Sequence, residues 1–351
     1  MQAIVYHGTR DFRIDQVPDP VRQEDTDVVV RVERTAICGS DLHIWHGDPL
    51  PATGFAMGHE FLGTIEDVGP AVQQHQKGDR VMVSCVVGCG HCPECRVQLC
   101  SGCPHTSVFG PLTNVFGSPI LPGGQAEAVR VPFADANCFA IPEGLDDEQV
   151  LFLTDILPTG YMGADLAEVS PGDVVVVFGC GPVGTFAQRS AQLRGASCVV
   201  AVDLDDGRLT KAEKRGCLPV NPSRQNLLEQ VHAVTGGRGA NCAIEAVGRE
   251  ALVRDALEVT RAGGHVSVIG VIVQSDVSLP FRQALMGKNL TLRSGMVNPQ
   301  RYIPTLLPLI EQGRLDPTEI IMHRMALSDG VRGYEIFDAH EEDVLKVVLA
   351  P

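Results

Sequence analysis

Between Cys38 and Glu60 the sequence reads CGSDLHIWHGDPLPATGFAMGHE, which sets a thiol, Ser40, Asp41 and His43 ahead of His59 and Glu60. A thiolate and an imidazole at this spacing suit Zn²⁺, which takes sulfur and nitrogen donors and in catalytic sites keeps an open position. Singly, a Cys reads as a small hydrophobe and a His as a satisfied polar group; the ordered set is what points to metal. Glu60 reads as an exchangeable fourth ligand or as a carboxylate behind the ligands, and Asp41 as the group that orients His59 through its second nitrogen. A second cluster, CVVGCGHCPECRVQLCSGC, places Cys89, Cys92, Cys95 and Cys103 three, three and eight positions apart. Four thiolates gathered by tight Cys-x-x-Cys turns close a structural zinc site, with Cys100 and His91 as rival ligands. The apolar run VVVVF then leads straight into GCGPVG, so Gly179, Gly181 and Gly184 form G-x-G-x-x-G ahead of a helical segment. In that context backbone N–H groups at a helix start receive a pyrophosphate, and Asp203, closing the next strand, accepts the hydroxyls of a ribose.

The elements that hold these residues follow from pattern. AIVY, VVVRVE, FLGTIEDVG and KGDRVMV alternate as short strands with Gly and Pro between them, so the first 150 residues read as a loop-rich, partly open β-barrel. LFLTDILPTGYMGADLAEV changes to a helical period with Asp155 near its start, where a carboxylate is also an ordinary helix N-terminal residue. From Val174 to Ser294 strands and helices alternate, with six strand candidates, which is a doubly wound α/β pattern. The tail returns to mixed helix and strand, and VLKVVLAP reads as a strand. A length of 351 residues suggests two domains, and 44% apolar with 20% charged residues is an ordinary globular composition. A formal charge of −15 counts against a nucleic-acid partner, including a zinc ribbon, and against an anionic membrane surface. Twelve cysteines with no signal pattern before them point to thiols and metal ligands in the cytoplasm.

Cys38, Ser40, Asp41 and His43, followed by Gly58, His59 and Glu60, fit C-x-[ST]-D-x-H and G-H-E. With the cysteine cluster and glycine loop in that order, the chain resembles the zinc-dependent medium-chain alcohol dehydrogenases over essentially its whole length. The resemblance implies a GroES-like β-barrel catalytic domain at 1–156 and 297–351, with a zinc lobe at about 85–105, and a doubly wound Rossmann domain at 157–296. It implies two zincs per chain: a catalytic one on Cys38, His59 and Asp155, and a structural one on four cysteines whose family spacing selects Cys103 over Cys100. DILPTGY is most similar to the bacterial secondary-alcohol and formaldehyde dehydrogenase branches, in which the third ligand is Asp. Ser40 would take the substrate proton and pass it through the cofactor ribose to His43.

Around NAD, the resemblance sets Gly179, Gly181, Pro182 and Gly184 at the pyrophosphate and Val183 behind the nicotinamide. Thr159 would fix the ring face, Gly270 and Val271 would edge the amide pocket, Asp203 and Arg208 would border the adenosine ribose, and Lys346 would approach the pyrophosphate. Gly39 stands where some members carry Arg, and the extra loops of the glutathione-independent formaldehyde dehydrogenases are missing. Trp45, Phe109, Leu112, Ile156 and Met296 are the residues expected at an apolar substrate pocket. The implied activity is NAD-linked oxidation of a small to medium primary or secondary alcohol, or the reverse carbonyl reduction, in a homo-oligomer with a tetramer favoured over a dimer. A polyol or threonine-type dehydrogenase and a catalytically silent dinucleotide-binding relative are the alternatives.

Overall fold

The computed structural model describes residues 1–47, 52–107, 113–273, 276–341 and 344–351; Phe109 and Leu112 lie outside them. The chain forms two compact units, Met1–Pro158 with Val297–Pro351, and Thr159–Met296.

The first unit is built on the strand Val28–Ile37, whose β-branched run is buried on most positions. One edge of this strand pairs antiparallel with Glu60–Val68 along nearly its full length. Its other edge is shared: Ala128–Val131 takes Val28 to Arg31, and Lys346–Ala350 takes Thr35 to Ile37. Register shifts at Val29/Val30 and Val32/Arg34 mark bulges, which bend and twist a strand and let one strand serve several partners. Ile321–Ala326 lies outside Lys346–Ala350, and Arg80–Val83 and Cys138–Ala140 extend the far side, giving seven strands with a separate hairpin of Gln2–Gly8 and Asp11–Gln16. This is the open, barrel-like β unit that the alternation predicts.

Register decides where the chemistry falls. Ala36 pairs with Glu60 and Ile37 with Val347, so Cys38, Glu60 and Lys346 meet where one strand ends and two others begin. Beside them, an aromatic cluster fills the interior. Trp45 stands edge-on to Phe12 with centroids 5.1 Å apart and stacks on Tyr334 at 5.8 Å. Trp45 and Ile156 are both buried, Trp45 within that cluster, so for these two the apolar-pocket expectation gives way to core packing. The segment DLHIW forms a short helix, Asp41–Trp45, that carries Trp45 inward.

The second unit is a six-stranded parallel sheet flanked by helices. Numbered within the unit by sequence, the strands lie in the order 3-2-1-4-5-6, which is the dinucleotide-binding order. Val174–Phe178 is the first strand and Pro182–Leu193 the helix after the glycine loop. The strand least visible in the sequence is Leu218–Val220, three residues long with Pro219 inside. Proline has no N–H for a ladder and is tolerated because this strand sits at the sheet edge. Among the described residues no helix is long and apolar enough to cross a membrane.

Candidate functional site

Cys38, His59, Glu60 and Asp155 are all buried, and one ligand atom from each lies within 4.8 Å of every other. Asp155 reaches the cluster from the junction between the turn Phe152–Thr154 and the helix Ile156–Leu166, anchored by a 2.9 Å bond from the Cys85 N–H to the Thr154 carbonyl. Its Oδ2 is 3.6 Å from Cys38 Sγ and 3.2 Å from His59 Nε2. On the other side of the ring, His59 Nδ1 is 3.3 Å from Asp41 Oδ1. A carboxylate on Nδ1 holds the proton there and leaves Nε2 with a lone pair, the arrangement used by metal-binding histidines. Nε2 and the Asp155 carboxylate face each other at 3.2 Å, a spacing that a shared proton or a metal cation between them satisfies. Burial works against a charged His59, yet Asp41 and the Cys38 thiolate outweigh it and hold its pKa well above the usual range. Burial pushes the Cys38 thiol up, with Glu60 adding to the effect. The second oxygen of Glu60, Oε2, is buried with no hydrogen-bond partner. A borderline-soft divalent cation answers each of these features, so the residues fit zinc.

Asp41 is itself held. Its Oδ2 accepts the Cys38 N–H at 3.0 Å and a Gln125 side-chain N–H at 3.3 Å, while Gln125 Oε1 accepts the Tyr334 hydroxyl at 2.7 Å. Gly58 makes room for this chain: its φ is +94°, and a Cβ there would stand 2.4 Å from the Gln125 side chain. The glycine in G-H-E therefore answers to backbone conformation and to Gln125 together. Ser40 Oγ lies 3.3 Å from His59 Nε2, just ahead of the helix Asp41–Trp45. His43 sits partly buried on that helix.

The second cluster brings together the sulfurs of Cys89, Cys92, Cys95 and Cys103, all buried and within 4.8 Å of one another. Cys100 is not in that set. The Cys92 and Cys103 sulfurs are 3.8 Å apart, and Zn–S bonds near 2.3 Å require a tetrahedral edge of ~3.8 Å. Backbone N–H groups of Cys89, Cys92 and Cys95 point at the sulfurs of Cys103, Cys89 and Cys92, each at 3.4 Å. Burial raises the Cys103 thiol, but hydrogen bonds from the Thr106 side chain and the Cys89 and His105 backbones hold it below the usual thiol range, while burial pushes the Cys92 and Cys95 thiols up.

In the second unit the three glycines do different work. Gly179 has φ +96°, and a Cβ on Gly184 would meet the Gly179 carbonyl oxygen at 2.0 Å. A Cβ on Gly181 would meet nothing, so the chain itself does not demand glycine there. Open space at the start of a helix is what a pyrophosphate needs. Asp203 Oδ2 accepts the Cys180 N–H at 2.7 Å and Oδ1 the Asp205 N–H at 3.0 Å, tying the acid to the glycine loop. Pro182, at the first helical turn, and Val183 are half-buried beside the loop, and Arg208 lies in the helix Asp206–Lys214.

The chain matches known proteins over its whole length. The alcohol dehydrogenase GroES-like domain family matches residues 24–143 and the zinc-binding dehydrogenase family residues 182–312. A protein of Mycobacterium tuberculosis named as a probable zinc-binding alcohol dehydrogenase is 41% identical across all of this chain and 89% of its own length. The chain belongs to the zinc-dependent medium-chain alcohol dehydrogenases. The structure of the alcohol dehydrogenase TADH from Thermus sp. ATN1 shares 38% identity and a TM-score of 0.92, covering 100% of this chain and 99% of that one. An Escherichia coli alcohol dehydrogenase complexed with NADH shares 26% identity and a TM-score of 0.88, covering 100% and 99%.

Within this dehydrogenase, one expected cofactor contact is corrected. Lys346 is fully buried, and its Nζ donates to Glu60 Oε1 at 2.8 Å. An ammonium sealed into the sheet against the Glu60 carboxylate is out of solvent, where no pyrophosphate reaches it. Gly270 has a packing reason of its own, since a Cβ would lie 2.1 Å from the Gly248 nitrogen, and Val271 is 48% exposed. Thr159 and Met296 are both partly buried. Gln125 and Tyr334, which brace Asp41, were not singled out in the sequence. GGQAEA gives a glycine pair ahead of Gln125 but nothing that predicts its reach.

Proposed function

We propose that this dehydrogenase interconverts a small to medium primary or secondary alcohol and its aldehyde or ketone, with NAD(H) as hydride carrier and two zincs per chain. The observation that carries the reading is the buried Cys38–His59–Glu60–Asp155 set, with Glu60 Oε2 unpartnered and the Ser40 hydroxyl beside it. Zinc, when bound, supplies a Lewis acid for the alcohol or carbonyl oxygen. Cys38, His59 and Asp155 would hold it, and Glu60 is tethered through its other oxygen to Lys346. Asp41 keeps His59 in the tautomer that ligation requires, and Gln125 and Tyr334 keep Asp41 in place. Ser40 accepts the substrate proton during oxidation and returns it during reduction. His43, on the short helix that follows Ser40, passes it onward. A homo-oligomer, tetramer over dimer, is the form we infer from the family.

A panel of alcohols and carbonyls followed by NADH absorbance tests the reading; no turnover in either direction would leave only a dinucleotide-binding relative. Metal analysis is expected to find two zincs per chain. A chelator should remove one together with activity and leave the four-cysteine zinc in place, because closed sites exchange slowly. One zinc per chain in fully active protein contradicts this.

Asp203 sets the cofactor choice. A 2′-phosphate beside its carboxylate is opposed by about 4 kcal/mol for charges ~4 Å apart at an effective dielectric near 20. Solvent at this half-exposed position reduces that figure without reversing its sign. NAD is expected to exceed NADP in kcat/KM by at least about tenfold, a difference of only ~1.4 kcal/mol. Asp203→Gly should raise the KM for NAD, the more so because it also frees the Cys180 N–H of the glycine loop. Adding Leu204→Arg should bring NADP use up. Equal efficiency with both cofactors in the wild type would overturn the assignment.

A further inference from the structure

Two histidines follow the zinc-type cysteines at the same offset, His91 two residues after Cys89 and His105 two after Cys103. Both are exposed, with ring centroids 5.4 Å apart. Together with Cys89 they form a set of three whose ligand atoms lie within 4.8 Å of one another. His91 Nδ1 is 3.0 Å from the Cys89 carbonyl oxygen. A carbonyl only accepts, so Nδ1 carries the proton and Nε2 the lone pair that a metal takes. An exposed histidine pair alone is ordinary surface. This one shares a thiol with a buried site: Cys89 belongs to both sets, while Cys103 is 0% exposed.

We propose that Cys89, His91 and His105 form an outer docking site through which the buried four-cysteine site acquires and exchanges its zinc. The inference rests on reading that cluster as a zinc site. Cys89 stays bound while the two imidazoles are replaced by Cys92, Cys95 and Cys103. Cys89 releases its proton to solvent on capture, each entering cysteine that still carries a proton releases it in turn, the imidazoles leave neutral, and zinc remains divalent throughout. Replacement ligand by ligand keeps the ion coordinated on its way inward, which avoids an unpaired buried charge.

The test uses the full-length zinc-loaded protein incubated with isotopically enriched zinc, with the slow, chelator-resistant fraction followed by mass analysis. His91→Ala/His105→Ala is compared with wild type and with His46→Ala, an exposed histidine paired with Asp338 away from this set. The double variant is expected to keep two zincs per chain and the wild-type melting temperature. Its slow zinc should exchange about tenfold more slowly, the lower end of what losing metal-orienting groups costs, with the single variants between. Equal or faster exchange in the double variant overturns the docking role. Loss of zinc from it at rest makes the histidines ligands of the resting site and also overturns the role. A wild type with no slow zinc removes the zinc reading of the four cysteines, and the docking site with it.

Discussion

Lys346→Met is expected to destabilise the protein by about 3–5 kcal/mol, the range for removing one partner of a buried ion pair. Lys346 and Glu60 are both 0% exposed and meet at 2.8 Å, and the ammonium also lies 5.7 Å from the centre of the Phe152 ring. Methionine fills similar volume, so the loss comes mainly from the Glu60 carboxylate left buried beside Asp155 without its ammonium partner. Burial already pushes the Glu60 pKa up and Lys346 pulls it back down. Removing both charges with Glu60→Gln/Lys346→Met should recover most of the loss. Equilibrium guanidinium unfolding of the two single variants and the double variant measures this. A Lys346→Met protein as stable as wild type would mean that water reaches the pair.

The other large effect belongs to Ser40. Ser40→Ala should lower kcat by ~10²–10⁴-fold, the usual worth of a positioned proton transfer. Zinc content and unfolding midpoint should stay at wild-type values, because the hydroxyl is only half-buried and makes no cap bond to the helix Asp41–Trp45. Among the described residues its hydrogen-bond partner at the cluster is His59 Nε2, 3.3 Å away, which sets the hydroxyl beside the metal-type ligands. Steady-state rates beside metal analysis decide the matter. Wild-type turnover in Ser40→Ala would remove Ser40 from the relay.

The metal-type clusters and the fold were legible because their signals are local. Cys38 and Ser40 sit within three positions of each other, the cysteines turn on Cys-x-x-Cys, and the glycine loop follows its strand directly. Lys346 was misread because its role is set by strand register. VLKVVLAP shows a lysine in an apolar strand, which usually means an edge, and only the pairing of Val347 with Ile37 puts it beside Glu60. Gln125 and Tyr334 were missed for the same reason: they act at separations of 84 and 209 residues. Trp45 looked like a pocket wall, and its neighbours Phe12 and Tyr334, which make it core, come from distant segments.

The placement of Lys346–Ala350 against Val28–Ile37 also sets a timetable for synthesis. Glu60 and Lys346 are 286 positions apart, so at about 5–20 residues per second a ribosome leaves roughly 15–60 s between them. During that interval the Thr35–Ile37 edge has no strand to pair with and the Glu60 carboxylate has no ammonium. Open edges of this kind invite pairing with other chains. The intervening Rossmann unit has only its own strands in its sheet and can fold meanwhile, which shortens the loop that the late strand must close. Nascent chains are therefore most exposed to aggregation just before the catalytic unit closes, and a chaperone that shields the Val28–Ile37 edge should raise the yield more than one acting after release.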